Sequence, residues 1–129
     1  MTRAEVKIRQ LEHQSETWKR DLEFIKEENI ALKNRVGEII SNIQVTSDFL
    51  ERIEAYQDDF IAKDQALRLI LWELKKWDKL LAAEQYADGE KTDGNLIALQ
   101  KKLSNKIESF MNEFTKLKFD FNNYMSEKL

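Results

Sequence analysis

The first third of the chain places its apolar residues at alternating steps of three and four. Such a heptad pattern gathers one side of an α-helix into a hydrophobic seam. The residues between the seam positions are mostly charged and of both signs, which is typical of a solvated face. The pattern predicts a long amphipathic helix over residues 3–41. Its seam positions are Ile8, Leu11, Ser15, Trp18, Leu22, Ile25, Asn29, Leu32, Val36, Ile39 and, just beyond, Ile43.

The same spacing resumes after a short polar segment at residues 41–47. Ser, Asn and Thr in this segment favour helix ends, and Thr46 or Ser47 can cap a new helix. No Gly or Pro enforces a turn there, so one continuous rod is the alternative to a hairpin. The second helix is predicted over residues 47–87. Its seam positions are Leu50, Ile53, Phe60, Leu67, Leu71, Leu74 and Leu81, interrupted by Gln57, Asp64 and Asp78.

A polar cluster with two Asp-Gly pairs at residues 87–95 predicts a surface loop. A third helix is then predicted over residues 95–127, with an aromatic-rich seam. Three long helices of similar length can pack along their whole extent. The fold predicted for residues 1–129 is a single all-α domain, an up-down-up antiparallel three-helix bundle with coiled-coil-like helices. The seam of the third helix is Leu96, Leu99, Leu103, Ile107, Phe110, Phe114, Leu117, Phe121 and Tyr124.

Charge and composition narrow the classes of partner. The 129 residues carry 21 Lys plus Arg against 24 Asp plus Glu, a net charge of −3 that argues against nucleic acids and membrane surfaces. No signal peptide or membrane span is evident, since the longest apolar run is Leu69 to Trp72, and we predict a cytoplasmic protein. The absence of Cys excludes disulfides and thiolate metal sites, although it leaves the redox compartment open.

The sequence offers little catalytic chemistry. His13 is the sole histidine and falls on the solvent side of the first helix. No motif positions a Ser, Thr or Lys as a nucleophile. We therefore predict no enzyme, and no catalytic, cofactor-binding or metal-binding residues.

The polar residues on the seams are the best candidates for a polar function. Asp64 and Asp78 could form a carboxylate pair in an interior pocket, but their separation along one helix is about 21 Å, too far to share a proton. The simpler interpretation is that Asn29 sets the register of the helices. Asp64 and Asp78 would then turn toward solvent or pair with a Lys or Arg.

Several segments of the first half carry a resemblance. They are Leu11 to Trp18 (LEHQSETW), residues 22–28 (LEFIKEE), residues 35–38 (RVGE) and residues 55–61 (AYQDDFI). They resemble a loose group of short, uncharacterised bacterial helical-hairpin proteins. The resemblance implies a turn between Ser41 and Ser47, and it implies no activity.

A surplus of apolar positions on the second helix suggests an interaction surface. Besides its seam, this helix carries a second stripe formed by Leu69, Trp72, Leu80 and Ala83. Phe24, Ile40 and Phe119 also fall off the seams. The second stripe can be covered if this helix lies centrally between the other two, or it can remain as an exposed patch. Because a three-helix bundle has limited capacity to hide both stripes, we predict a non-enzymatic structural or protein-interaction module. Its partner is a second copy in a homodimer, or an unidentified protein.

The alternative is a small-molecule-binding bundle. Aromatic side chains could line its pocket, where the third helix meets the tryptophans of the second. The residues that would form this pocket are Phe110, Phe114, Phe121, Trp72 and Trp77.

Overall fold

The computed structural model describes residues 3–42, 46–85 and 94–128, and these form three helices without any strand. Helix α1 spans Arg3–Asn42, α2 spans Ser47–Gln85 and α3 spans Gly94–Lys128. The predicted all-α class is confirmed. The helix boundaries agree with prediction to within a residue, except that α2 is described only to Gln85, two residues before its predicted end. Ile43 and most of the predicted loop at 87–95 lie outside the described residues.

Contacts between α1 and α2 show that the chain reverses. Asn29 meets Asp64, whereas Ser15, nearer the start of α1, meets Asp78, nearer the end of α2. The two helices are therefore antiparallel. The hairpin is confirmed, and the continuous rod is wrong.

The third helix reverses again. Lys63 of α2 binds Glu113, and Glu73, further along α2, binds Lys106, which is earlier in α3. Helix α3 is thus antiparallel to α2 and parallel to α1. The bundle has the predicted up-down-up order, and α1 and α2 pack more extensively against each other than either packs against α3.

Thr46 begins α2 as one of the two predicted caps. Its hydroxyl accepts a hydrogen bond from the Phe49 N–H at 3.3 Å, and its carbonyl accepts one from the Leu50 N–H at 2.9 Å. Asp48 lies in the first turn, where a negative charge interacts favourably with the helix dipole. A polar cap is therefore sufficient to start the helix without Gly or Pro.

The seam predicted for α1 is buried at every described position from Ile8 to Ile39. Ser15 and Asn29 are included, each about 1% exposed, and they are the two buried polar residues of the described chain. The heptad spacing of α1 thus predicted its inner side correctly, polar positions included.

Helix α2 is buried on two adjacent sides, whereas the sequence predicted a single seam. The central row of Ile53, Phe60, Leu67, Leu74 and Leu81 is buried as predicted. On one flank of this row, Tyr56, Ile70 and Trp77 are buried, and Tyr56 and nearby Lys63 contact α3. On the other flank, Asp64 and Asp78 contact α1. The second side exists because α2 packs against both other helices.

Aromatic rings fill the core where α2 meets the later part of α3. Phe60 and Phe121 are fully buried and meet edge to face, with ring centroids 5.3 Å apart. Tyr56 packs against Phe121 and Tyr124 at centroid distances of 5.2 and 5.7 Å. These contacts join α2 and α3 through specific ring geometry as well as buried area.

Candidate functional site

The second apolar stripe of α2 lies on the surface. Leu69 is 63% exposed, Trp72 is 56% exposed and Leu80 is 46% exposed, and Ala83 is exposed as well. They lie on the side of α2 that points away from its buried rows, and we call this side, over the whole length of α2, its outer face. Neighbouring large apolar side chains left in water are typical of an interaction surface.

A cation covers part of this surface. The Lys76 ammonium lies 3.5 Å from the ring centroid of Trp72, one helical turn away. A lysine in this position attracts the electron-rich face of the indole. The contact holds the Trp72 side chain along the helix, where it stays accessible to a partner.

Charges on the outer face are divided by sign between the two halves of α2. The N-terminal half is acidic and the C-terminal half is basic, and all of these side chains are exposed. None of them forms an ion pair with another residue in the described ranges. The acidic residues are Glu51, Glu54 and Asp58, and the basic residues are Arg68, Lys75, Lys76 and Lys79.

A groove between α1 and α3 carries two further exposed aromatic residues. Phe24 and Phe119 are each 62% exposed and line a cleft of about 480 Å³. Lys118 and Glu28 pair across this cleft. Both phenylalanines are left outside the core, as their positions off the seams predicted, but Ile40 is half-buried against the core.

A smaller groove of about 250 Å³ lies between α2 and α3. Trp77 and Leu80 of α2 line it, and α3 contributes Lys102 and Lys106. The indole N–H of Trp77 is buried and has no hydrogen-bond partner among the described residues. Glu73 also lines the groove and binds Lys106 at 2.8 Å, so Lys76 and Lys102 are the rim lysines without an ion pair among the described residues.

The described grooves do not bring the five residues of the predicted aromatic pocket together. Trp72 is on the outer face, and Phe110, Phe114 and Phe121 are buried in the core. Trp77 follows Phe60, the neighbour of Phe121, by about 25 Å along α2. The α2–α3 groove is what remains near Trp77, and it contains none of the three phenylalanines.

The buried Asn29 connects α1 with α2. Its amide nitrogen donates to the Phe60 carbonyl at 3.0 Å and to the Asp64 carboxylate at 2.6 Å. Lys33 binds the other carboxylate oxygen of Asp64. The amide oxygen of Asn29 is buried without a hydrogen-bond partner in the described chain, which costs folding free energy.

Opposing effects act on the Asp64 carboxyl. Burial raises its pKa, but the hydrogen bonds from Lys33 and Asn29 lower it. The charges of Lys33 and Arg68 act in the same direction as those bonds, and the pKa of Asp64 lies below its ordinary value. Asp64 is therefore an ionised structural carboxylate, unsuited to act as a general acid at neutral pH.

A matching arrangement lies two heptads away. The Ser15 hydroxyl donates to Asp78 at 2.5 Å, and the Lys19 ammonium lies 2.6 Å from the other oxygen of that carboxylate. The hydrogen bond to Asp78 raises the pKa of Lys19 above its ordinary value, against the opposing effect of burial. Asp78 and Asp64 each pair with a lysine of α1, as one interpretation of the sequence predicted.

The partners of these two aspartates on α1 were not predicted from the sequence. Ser15 is followed four residues later by Lys19, and Asn29 is followed four residues later by Lys33. This repeat has the same two-heptad period as the two aspartates of α2, so a signal for the pairing was present. The role of Asn29 in setting the register stays a prediction.

The described residues contain no group of three or more His, Cys, Asp or Glu side chains placed to hold a metal ion. His13 is exposed on α1. None of the described helices is long and apolar enough to cross a membrane.

Comparison with known proteins finds no matching family model, no matching curated protein and no matching solved structure.

Proposed function

We propose that this chain is a non-enzymatic protein-interaction module that pairs with a second copy of itself, in the cytoplasm, through the outer face of α2. The observation that carries the proposal is the exposure of Leu69 and Trp72, 63% and 56%, one helical turn apart. Covering such side chains removes apolar surface from water, which is the main favourable term in association.

Charge favours a second copy over an unrelated partner. The outer face carries acidic residues in its N-terminal half and basic residues in its C-terminal half. A uniformly acidic or basic partner would attract one half and repel the other. A second copy presents both signs and can match both halves.

Light scattering at micromolar concentration tests the proposal. We expect wild-type protein at the mass of a dimer, and Trp72→Glu as a folded monomer with unchanged helical circular dichroism. The substituted side chain fits the surface of a monomer because Trp72 is already exposed there. In the dimer, it would bury an unpaired charge.

Phe24→Glu is the matched control. Phe24 is also a highly exposed aromatic residue, but it lies on α1 in the α1–α3 groove. This variant is expected to stay dimeric. A wild-type monomer, or equal dissociation by both variants, would contradict the proposed interface.

A second candidate function is the binding of a small amphipathic anion in the α2–α3 groove. The unpaired indole N–H of Trp77 favours it, together with the lysines at the rim. Decanoate is a suitable probe, with decanol as the neutral control. We expect decanoate to shift the Trp77 indole N–H signal in NMR spectra saturably, and Lys102→Glu to weaken this response. Equal shifts with decanol would exclude a role for the lysines.

A further inference from the structure

We infer that the α2 helices of the dimer run antiparallel, with the acidic half of each outer face against the basic half of the other. This inference rests on the proposed function and adds the orientation of the partner. The observation behind it is the distribution of charge along the outer face. No ion pair of the described chain uses these charges.

Each half of the outer face contains like charges at helical spacing. Glu51, Glu54 and Asp58 follow one another by three and four residues, and Lys75 and Lys79 are four apart. Like charges at these spacings repel one another and destabilise a helix. Within the described residues, no ion pair relieves this repulsion. Opposite charges supplied by a second copy would relieve it.

The two orientations of the dimer differ in the sign of their electrostatic interaction. In a parallel dimer, acidic half meets acidic half and basic half meets basic half, so both contacts are repulsive. In an antiparallel dimer, each acidic half meets a basic half, and two-fold symmetry repeats the attraction. Electrostatic complementarity of this kind selects one orientation of docking over another.

Apolar side chains agree with the antiparallel orientation. The basic half carries Leu69 and Trp72, whereas the acidic half carries Ile61, which is 43% exposed, and the small Ala62. Helices that cross near Gln65 bring Leu69 of one copy onto Ile61 and Ala62 of the other. Apolar side chains of the two copies then pack together beside the crossing point.

Charge reversal tests the orientation. For E51K/E54K, we expect the dimer dissociation constant to rise at least about tenfold, because attraction becomes repulsion at both ends. K76E/K79E is expected to act in the same way, and it confirms the result if the first variant folds poorly. The combined fourfold exchange restores attraction and is expected to restore the dimer.

The matched control is E23K/E27K. It changes net charge by the same amount at two exposed positions of α1, and it is expected to leave the affinity unchanged. Added salt is expected to weaken the wild-type dimer, because it screens attractive pairs. In a parallel dimer, E51K/E54K would bind as tightly as wild type, and salt would strengthen association. Either result would overturn the antiparallel arrangement.

Disulfide cross-linking separates failure of the orientation from failure of the interface. The chain has no Cys, so single cysteines can be introduced without background. Gln65→Cys is expected to form a disulfide between copies. Ala83→Cys is expected to form none, because the two cysteines would lie about 54 Å apart along antiparallel helices.

Efficient cross-linking through Ala83→Cys, in a protein that is dimeric by light scattering, would overturn the antiparallel arrangement and leave the proposed interface intact. A dimer without the Gln65→Cys disulfide would overturn the crossing point and with it this inference. A monomeric wild-type protein would overturn the orientation and the proposed function together.

Discussion

The side of α2 that meets α1 and its outer face contrast in how their charges are compensated. Against α1, Asp64 and Asp78 each receive a lysine and a neutral hydrogen-bond donor. On the outer face, like charges follow one another without ion pairs in the described chain, and Trp72 is largely in water. One helix therefore has a side whose charges are paired within the fold and a side whose charges have no ion-pair partner in the described chain.

The largest effect on stability is expected in the core. Phe60→Ala is expected to lower the free energy of unfolding by about 3–5 kcal/mol, because the ring is fully buried against Phe121 and its loss leaves a cavity. Urea unfolding followed by circular dichroism measures the change. Trp72→Ala is the control, assayed at a concentration where the protein is monomeric, and is expected to change stability by less than about 0.5 kcal/mol. Comparable losses would mean that Trp72 belongs to the core.

A smaller effect is expected at the polar contact between α1 and α2. Asn29→Ala removes the donor to the Phe60 carbonyl and the Asp64 carboxylate, and it is expected to cost about 1–3 kcal/mol. The same urea assay measures it. Ser15→Ala, which removes one donor to Asp78, should cost less. A neutral Asn29→Ala would show that this contact adds no stability.

Acid should lower the free energy of unfolding, because it protonates Asp64 on the side of α2 that faces α1. Its pKa is lowered on folding, so its contribution is present above the unfolded pKa of about 4 and is lost as pH falls through the folded pKa. Urea unfolding between pH 7 and pH 2 should therefore show stability that declines with acid. At a concentration where the protein is monomeric, Asp64→Asn should flatten this decline relative to Asp58→Asn, a control on the outer face. Equal slopes would contradict the assignment.

Alkali should also lower the free energy of unfolding, because it deprotonates Lys19. Its pKa is raised on folding by the hydrogen bond to Asp78, so its contribution is complete below the unfolded pKa of 10.5 and is lost as pH rises through the folded pKa. Lys19→Met should reduce the loss of stability above pH 10 in urea unfolding. Lys79→Met, on the outer face, should leave that loss unchanged when the protein is assayed as a monomer.

The smallest effect is expected at a position that neither side of α2 uses. Gly37 lies inside α1, and a Cβ added there would meet no atom within 4 Å. Gly37→Ala is therefore expected to stabilise the protein by about 0.5–1 kcal/mol, since Ala loses less backbone entropy in a helix. A higher midpoint of urea unfolding, with an unchanged slope, would agree with this expectation, and destabilisation would reveal a missed contact.

What the sequence determined by itself is local and periodic. The heptads of α1 predicted every described seam position, including the polar Ser15 and Asn29, and Thr46 was among the predicted caps. Such features depend on residues within a few turns of one another, so a single stretch of sequence contains them. The second stripe with Leu69 and Trp72 followed from the same spacing, but the sequence left open whether the other helices would cover it.

Only the tertiary structure decided how α2 divides its surface. Tyr56 and Trp77, rather than Gln57 and Asp78, are its buried residues beside the central row, because α3 packs there while α1 takes the adjacent side. A heptad count returns one seam, whereas a helix between two neighbours needs two. The choice of neighbour for each side depends on contacts distant in sequence, and periodicity within one helix does not contain that information.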